Sequence, residues 1–242
     1  MKSIHLIAHC WAGDRSCYAK MLTAQLSALL RWPPKARVLL SICTNECDKA
    51  TLLAIESFHS RGVPVEPILL PKPQIFRRAI GRNVASKASK ADIVWFTDCD
   101  LIFGDSCLDT LSLIDFSGLA YPTRQMIHRS HALGDEDLAT ITIGEPWQID
   151  IAHFVPHRMR FASGGVQIVD GETGRKGYLD GSKWTRQADP ERGFCDPGED
   201  RVYRGLFTNS TPLSLPNLFR FRHSDCPFEK AEDRLAQTSH VR

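Results

Sequence analysis

The chain has 242 residues, of which 43% are hydrophobic and 24% are charged, which is ordinary globular composition and argues against a disordered or fibrous protein. Its formal net charge of +2 is too small for bulk charge to indicate a nucleic-acid partner, so that question depends on local clusters. No apolar run approaches the roughly 18 to 20 residues of a membrane span, and the N-terminus lacks a secretory signal, so we expect a soluble, cytoplasmic protein.

The first half of the chain alternates apolar runs with helical patterns. We expect strands at 4–10, 36–43, 63–70 and 92–98, and helices at 15–32, 48–62 and 74–91. Asp48 is the expected N-cap of the second helix. The third helix repeats apolar residues at helical spacing, which are expected to form its buried face: Phe76, Ile80, Val84 and Ala88. Strands alternating with helices predict an α/β fold with a mostly parallel sheet, which binds ligands at the carboxyl ends of its strands.

The second half is less regular. We expect helices at 105–115 and 198–207, a short strand at 116–122, and a strand containing a glycine pair at 160–170. Residues 123–148 are polar and broken, and are expected to form a loop or an excursion over the site. No repeat or low-complexity linker interrupts the chain, which favours a single domain.

The eight cysteines lie at positions 10, 17, 43, 47, 99, 107, 195 and 226. Nothing in the sequence indicates export, so free thiols are expected. A zinc site is the alternative, although no CxxC pair is present to support it. Its ligands would be Cys10, Cys17, Cys43 and Cys47.

The stretch ADIVWFTDCDLIFGD ends an apolar run in acids. Because an unpaired buried charge is costly, these acids predict a nearby positive charge. Asp98 and Asp100 are two positions apart, so in an extended segment both would point to one side and offer hard oxygen ligands to Mg²⁺ or Mn²⁺. Alternatively, one acid caps the helix that begins near Asp105 and the other is solvated.

The longer stretch FRRAIGRNVASKASKADIVWFTDCDLIF resembles the donor-binding core of GT-A glycosyltransferases, especially the large family-2 group. In those enzymes a helix carrying Arg-Asn, here Arg82-Asn83, runs into an apolar strand that ends in Asp-x-Asp. SGGVQIVD and GFCDPGEDRVYRG resemble the acceptor half of that fold, with a galactosyltransferase-type Gly-Glu-Asp helix start. RFRHSDC places His223 where many relatives supply a histidine to the metal. The resemblance covers residues 4 to about 225, in the expected order.

This resemblance implies a single GT-A, Rossmann-like domain with an irregular C-terminal half. Residues 1–104 would form the nucleotide-sugar-binding half, residues 105–228 the acceptor and catalytic half, and residues 229–242 a charged tail. The implied activity is metal-dependent transfer of a sugar from a nucleotide sugar, usually a UDP-sugar, to a hydroxyl acceptor.

The implied cofactor is Mn²⁺ or Mg²⁺, bound by Asp98, Asp100 and His223. Asp100 would be the direct ligand, whereas Asp98 would bind through water or hold the ribose. A nitrogen ligand would favour Mn²⁺. The alternative for His223 is a surface imidazole.

Donor contacts are expected from Arg82 and Asn83, with Arg78 one helical turn earlier, from Asp98, and from His9 at the end of the first strand. The alternative for the arginines is a solvated basic helix face. Relatives often end the second strand in an acidic pair that holds the base. Here the strand ends in SICTNECD, so the base would be held by Thr44, Asn45, Glu46 or Asp48.

The resemblance assigns the catalytic base to Asp200, with Glu199 in support. Alternatively, both acids only stabilise a helix N-terminus. A base in that position implies attack opposite the leaving group and therefore inversion. Gly164 and Gly165 would let an acceptor approach the backbone, unless they form a bulge.

Three stretches mix basic and flat side chains, at 124–131, 153–161 and 219–223. They would suit a phosphate-bearing acceptor such as a hydroxylated base in DNA, which must be flipped out of a duplex. The alternative, which the sequence slightly favours, is a glycan, a lipid-linked sugar or a protein. Two further classes stay open: a nucleotide-sugar-binding module without activity, and a nucleotidyltransferase. The second lacks its usual glycine- and arginine-rich loop, since HCWAGDRSC holds only Gly13 and Arg15.

Overall fold

The computed structural model describes residues 1–13, 16–129, 141–143, 145, 147–179 and 198–221. In the first half, strands and helices alternate as the sequence predicts. They are β1 Ile4–His9, α1 Ser16–Arg31, β2 Val38–Thr44, α2 Lys49–His59, β3 Val65–Leu69, α3 Lys72–Ile75, α4 Arg78–Ala88 and β4 Ile93–Thr97. The side chain of Asp48 caps α2 by accepting from Thr51 N, as expected.

The second half contributes shorter elements. They are β5 Leu101–Phe103, α5 Cys107–Leu113, β6 Leu119–Pro122, β7 Arg124–His128, a 3₁₀ turn at Ile151–His153, β8 Phe154–Arg158, β9 Val166–Asp170, α6 Gly171–Arg175, α7 Gly198–Arg204, β10 Ser210–Leu213 and β11 Leu218–Arg220.

A seven-stranded sheet in the order β10-β6-β9-β4-β1-β2-β3 forms the centre of the molecule. Neighbouring strands run parallel throughout it except around β9, which is antiparallel to both β4 and β6. The predicted α/β fold with a mostly parallel sheet is therefore confirmed. A second sheet has the order β5-β11-β7-β8, and its strands all come from the part of the chain that follows β4.

The central strands are buried along their whole length. Every residue of β1 and β4 is buried, which explains why these segments are continuous apolar runs without alternation. Trp95 on β4 is fully buried and donates from Nε1 to the carbonyl of Gly165 at 3.1 Å. This bond ties the strand that precedes Asp98 to the glycine pair.

The predicted helix over 74–91 is two helices, α3 and α4. Its predicted buried face is correct at Phe76, which is buried, and in part at Ile80, which packs against the core, but it is wrong at Val84 and Ala88. Val84 is 49% exposed, and Ala88 is also exposed. The buried face of α4 instead carries Ala79, Arg82 and Ala85. The helix is rotated in this way because Arg82 meets acidic partners inside the protein, and hydrophobic spacing cannot anticipate such a contact.

Two predictions for the second half also need correction. Residues 123–148 were expected to form a loop, but Arg124–His128 form β7, which pairs with β8 and β11. The strand expected over 160–170 begins only at Val166, and Gly164 and Gly165 lie in the turn before it. The strands of the second sheet are short and carry polar side chains at their solvent-exposed positions. Their hydrophobic pattern is therefore too weak to predict them.

No helix within the described part of the chain is long and apolar enough to span a membrane.

Candidate active site

Asp98 and Asp100 lie in the tight turn between β4 and β5, where Leu101 N donates to the carbonyl of Asp98 at 3.2 Å. They are therefore not on one side of an extended segment, as the sequence had suggested. Both carboxylates nevertheless face one cation. Arg220 on β11 donates from Nε to Asp100 Oδ2 at 2.9 Å, and its Nη2 lies 3.7 Å from Asp98 Oδ2. The positive charge predicted beside these acids is present, and it is a guanidinium.

Two arginines of α4 join Asp98 to Asp200, which comes from the other half of the chain. The fully buried Arg82 contacts Asp200 Oδ1 through Nη1, and its Nη2 lies 3.4 Å from Asp98 Oδ1. Arg78 lies one turn earlier, with Nη1 3.3 Å from Asp200 Oδ2 and 3.8 Å from Asp98 Oδ1. The expected placement of Arg78 and Arg82 on one helix face is correct, and this face points at the acids.

These six side chains form a charge-balanced group that we call the aspartate–arginine cluster. It contains the carboxylates of Asp98, Asp100 and Asp200 and the guanidinium groups of Arg78, Arg82 and Arg220. Burying an ion is tolerated only where opposite charges and hydrogen bonds compensate it. The cluster meets that condition because each acid contacts at least one guanidinium.

The cluster sets the protonation of Asp200. Burial by itself would raise the pKa of this carboxyl, but Arg82, Arg78 and the hydrogen bond from Tyr178 together lower it to about 2. The Tyr178 hydroxyl lies 2.6 Å from Asp200 Oδ1. Asp200 is therefore a carboxylate at neutral pH, as a general base must be.

Glu199 has a different task from its neighbour. It accepts from Arg77 Nε at 2.6 Å and from Ala79 N at 2.7 Å, so its carboxylate closes the N-terminus of α4. This is a favourable position for a negative charge. Of the two roles considered for these acids, Glu199 performs the helix-stabilising one, and Asp200 lies in the cluster.

The glycine pair is explained by the acids next to it. A Cβ on Gly164 would lie 2.6 Å from Asp200 Oδ2, and a Cβ on Gly165 would lie 2.5 Å from Asp98 Oδ2. Any side chain at either position would displace a carboxylate of the cluster. The predicted approach of an acceptor to these glycines stays a prediction.

Asn83 and His9 were expected to contact the donor, and both lie beside the cluster. The Asn83 side chain accepts from Tyr178 N at 2.7 Å and donates to the carbonyl of Leu179, so it holds the segment that carries Tyr178. His9 is buried at the end of β1. Burial, and after it the charges of Arg82 and Arg78, lower its pKa well below the usual range, so its imidazole is neutral.

Two of the residues expected to hold the nucleotide base also form hydrogen bonds that stabilise loops at this edge of the sheet. Asp48 accepts from Ala12 N at 2.7 Å, and Asn45 donates to the carbonyl of Leu70 at 2.7 Å. Thr44 is buried, whereas Glu46 is exposed. Their contact with a base stays a prediction.

The sequence did not predict three side chains of the site, which are Tyr178, Gln167 and Arg220. Tyr178 contacts Asp200 and also lies 2.6 Å from Gln167 Oε1, and Gln167 donates to the carbonyl of Asp200 at 2.9 Å. Arg220 was noticed only as part of a basic stretch. No local pattern marks these residues, because their partners lie far away in sequence.

His223, the third predicted metal ligand, lies outside the described residues. Within them, no group of three or more His, Cys, Asp or Glu side chains is arranged to hold a metal ion. None of the described cysteines forms a disulfide bond, as expected: Cys10, Cys17, Cys43, Cys47, Cys99 and Cys107. Cys195 and Cys226 lie outside this part of the chain.

No family model and no curated protein sequence matches the chain. Solved structures do match it. TarS of S. aureus superposes with a TM-score of 0.54 at 16% identity, over 91% of this chain and 37% of TarS. TarS 1-349, solved in complex with UDP, gives 0.51 at 15% identity, over 91% of this chain and 60% of that one.

A third structure is the mannosyltransferase PcManGT from Pyrobaculum calidifontis, solved with GDP-Man and Mn²⁺. It gives a TM-score of 0.52 at 10% identity, over 90% of this chain and 56% of that one. The chain thus spans 37%, 60% and 56% of the lengths of these three chains. At such identities the likeness shows the fold, which is the GT-A glycosyltransferase fold, as the sequence resemblance predicted.

Proposed function

We propose that this protein transfers a sugar from a nucleotide sugar to a hydroxyl group. The observation that carries the proposal is the pairing of Asp98, at the carboxyl end of β4, with Asp200 on α7 through Arg78 and Arg82. Ligands of mostly parallel α/β sheets bind at this edge. Glycosyl transfer requires a group that binds the donor and, close to it, an ionised carboxylate that can accept a proton, and this pair of acids would supply both.

The diphosphate of the donor would meet Arg78 and Arg220. Their side chains are 23% and 26% exposed, whereas the side chain of Arg82 is fully buried. Guanidinium groups suit phosphate oxygens because they donate two parallel hydrogen bonds. Arg82 would instead hold Asp200 in place, which differs from the donor contact expected from the sequence. TarS 1-349 with UDP and PcManGT with GDP-Man support a nucleotide-sugar donor for this fold.

Asp98 and Asp100 fit a divalent ion in one respect, since both carboxylates converge on a single cation, the Arg220 guanidinium. We propose that they hold Mn²⁺ or Mg²⁺ when Arg220 turns toward the phosphates, with His223 as the third ligand. When bound, the ion would offset the charge that develops on the leaving diphosphate. PcManGT was solved with Mn²⁺, which supports this proposal.

Asp200 would take the proton of the acceptor hydroxyl as the new bond forms. Its contacts to Arg78 and Tyr178 orient the carboxylate and keep it ionised. Once Arg78 turns to the diphosphate, Asp200 loses a positive neighbour and becomes a stronger base. Attack from this side inverts the anomeric centre, so NMR of the product must show the configuration opposite to that of the donor.

The direct test is to incubate the protein with a panel of nucleotide sugars, with Mn²⁺ and with EDTA, and to measure free nucleotide. We expect release from one donor class, stimulated by Mn²⁺. Asp100→Ala is expected to abolish release, whereas Asp105→Ala, which changes an exposed acid after β5, serves as the matched control. Binding of a nucleotide sugar without any release would support the non-catalytic module, and absence of binding would overturn the proposal.

A further inference from the structure

Three stretches that are far apart in sequence become neighbours in the second sheet. Residues 124–128, 154–158 and 218–220 form β7, β8 and β11, which lie side by side in the order β11-β7-β8. The stretches RQMIHRSH, HFVPHRMRF and FRFRH contain no Asp or Glu. The fold thus gathers three acid-free segments on one sheet. Arg220 of β11 is held by Asp100 and Asp98, so the solvent-exposed arginines of this group lie on and after β7 and β8.

The arginines at the ends of β7 and β8 make no ion pair with any residue that the structure describes. Arg124 and Arg158 are exposed and stand directly opposite each other on the antiparallel strands β7 and β8. Like charges in that position repel and destabilise the strand pair. Neither arginine, nor the exposed Arg160 that follows, forms a salt bridge within the described part of the chain. An external anion would relieve this repulsion.

The residues that follow Arg158 lead from these arginines to the candidate active site. Arg204, on the same helix as Asp200 and one turn later, lies 4.4 Å above the ring of Phe161 and donates to the carbonyl of Ala162 at 3.4 Å. The chain then reaches Gly164, which packs against Asp200. A short segment that contacts the helix of Asp200 therefore connects Arg158 and Arg160 with the proposed base.

Phe161 gives the surface a flat apolar group. It is 50% exposed, and no other Phe, Tyr or Trp side chain in the described ranges is as open to solvent. Sugars of simple glycans carry no phosphate, and anionic lipids and polyphosphates have no base that could stack on a ring. Arginines that bind phosphates beside an exposed aromatic ring are the combination that single-stranded nucleic acids bind.

We propose that the acceptor is a nucleic acid, whose phosphates lie along Arg124, Arg158 and Arg160 and one of whose bases stacks on Phe161. The surface then delivers a base-borne hydroxyl to Asp200. This inference rests on the proposed function and deepens it by naming the acceptor class of the same site.

The test is fluorescence anisotropy with a labelled unmodified DNA 20-mer, single-stranded and duplex, over a range of salt concentrations. We expect binding that weakens with salt, with the single strand bound at least as tightly as the duplex. The double variant Arg124→Gln/Arg158→Gln is expected to lower the slope of log Kd against log salt by about 1.5, because each phosphate contact contributes roughly 0.7 to 0.9. Phe161→Leu is expected to weaken single-strand binding by about fivefold or more.

The matched control is Lys35→Gln/Arg37→Gln, which removes two exposed positive charges before β2, at the opposite end of the central strands. It is expected to change neither affinity nor slope. An equal loss in this control, or no DNA binding at low salt, would overturn the inference. So would inorganic polyphosphate or heparin displacing DNA with no effect of Phe161→Leu, since that result indicates a polyanion without bases.

Nucleotide release from the donor separates this inference from the proposed function. We expect the Arg124→Gln/Arg158→Gln variant to keep its acceptor-independent hydrolysis of the donor, because neither arginine contacts the aspartate–arginine cluster. Nucleotide release without DNA binding would overturn the proposed nucleic-acid surface but would still support the proposed transferase. DNA binding without release from any nucleotide sugar supports the surface and overturns the transferase.

Discussion

Arg220 and Asp100 are joined by a hydrogen bond of 2.9 Å from Nε to Oδ2, although 120 positions separate them in the chain. The same guanidinium also reaches Asp98. The last described strand therefore supplies the counter-charge for the Asp-x-Asp turn. A divalent ion at this turn has to compete with an arginine that is already there.

We predict that Arg220→Gln raises the affinity of the protein for Mn²⁺ in the absence of nucleotide. Removing a positive charge beside two carboxylates strengthens their attraction for a cation, and we expect about a tenfold effect, or about 1.4 kcal/mol. Titration of Mn²⁺ followed by electron paramagnetic resonance measures it. Arg220→Lys, which keeps the charge, should bind Mn²⁺ as weakly as the wild type; equal affinity of all three proteins would contradict the prediction.

The second prediction concerns Asp200 and acid stability. Its pKa is lowered from 3.8 to about 2 in the folded protein, so it contributes stability above about pH 4 that is lost as the pH falls toward 2. The contribution is on the order of 2 kcal/mol. Asp200→Asn should therefore be less stable than the wild type at pH 6, and the difference should shrink as the pH falls. Urea unfolding at several pH values measures it.

Asp200→Asn also leaves the buried Arg82 without its nearest carboxylate, so we expect a loss of about 3 to 5 kcal/mol at neutral pH. Asp105→Asn is the control and should show no such loss. A difference between the wild type and Asp200→Asn that stays constant from pH 6 to pH 3 would contradict the assigned pKa.

The third prediction concerns His5 on β1, which is buried with Nε2 2.8 Å from Ser41 Oγ. Burial lowers its pKa from 6.5 to about 4, and the charge of Glu66 opposes this shift only in part. The unfolded chain therefore binds a proton that the folded protein excludes. Stability should fall between pH 6.5 and pH 4, by on the order of 3 kcal/mol from this residue.

His5→Asn should flatten this dependence, which thermal or urea unfolding at pH 7 and pH 4.5 can show. His157→Asn, at an exposed position on β8, is the matched control. If both variants keep the full pH dependence of the wild type, His5 does not cause it.

The fourth prediction tests the close packing of Gly164. Its Cβ in Gly164→Ala would lie 2.6 Å from Asp200 Oδ2, so the carboxylate must move. We expect nucleotide release to fall about tenfold or more while the affinity for the donor nucleotide changes little, because the base and not the diphosphate site is displaced. Gly205→Ala, where the nearest atom is 3.3 Å away, is the control. Unchanged turnover in Gly164→Ala would argue against Asp200 as the base.

The sequence predicted the parallel part of the sheet well, because buried strands such as β1 and β4 are continuous apolar runs. It also placed Asp98, Asp100 and Asp200 in one site through the order of three short motifs. It predicted a positive charge near Asp98 and Asp100 but did not identify which arginines pair with the three acids. Arg82 was expected to meet a ligand, and hydrophobic spacing did not place it on the buried face of α4, because a buried ion pair across more than a hundred positions leaves no local signal.

The second sheet was missed for a related reason. Its strands are three to five residues long and come from distant parts of the chain, so no alternation is long enough to detect. Arg220 belongs to one of them. The sequence could therefore show that this arginine is basic but not that it faces Asp100.

Glu199 extends from α7 to the first turn of α4, where it bonds Arg77 and the backbone of Ala79. The helix that carries Arg78, the proposed diphosphate ligand, is thus fastened to the helix that carries Asp200, the proposed base. Any rearrangement of one helix on donor arrival is felt by the other. In the proposed reaction, binding of the donor at α4 would therefore also align Asp200 for the acceptor.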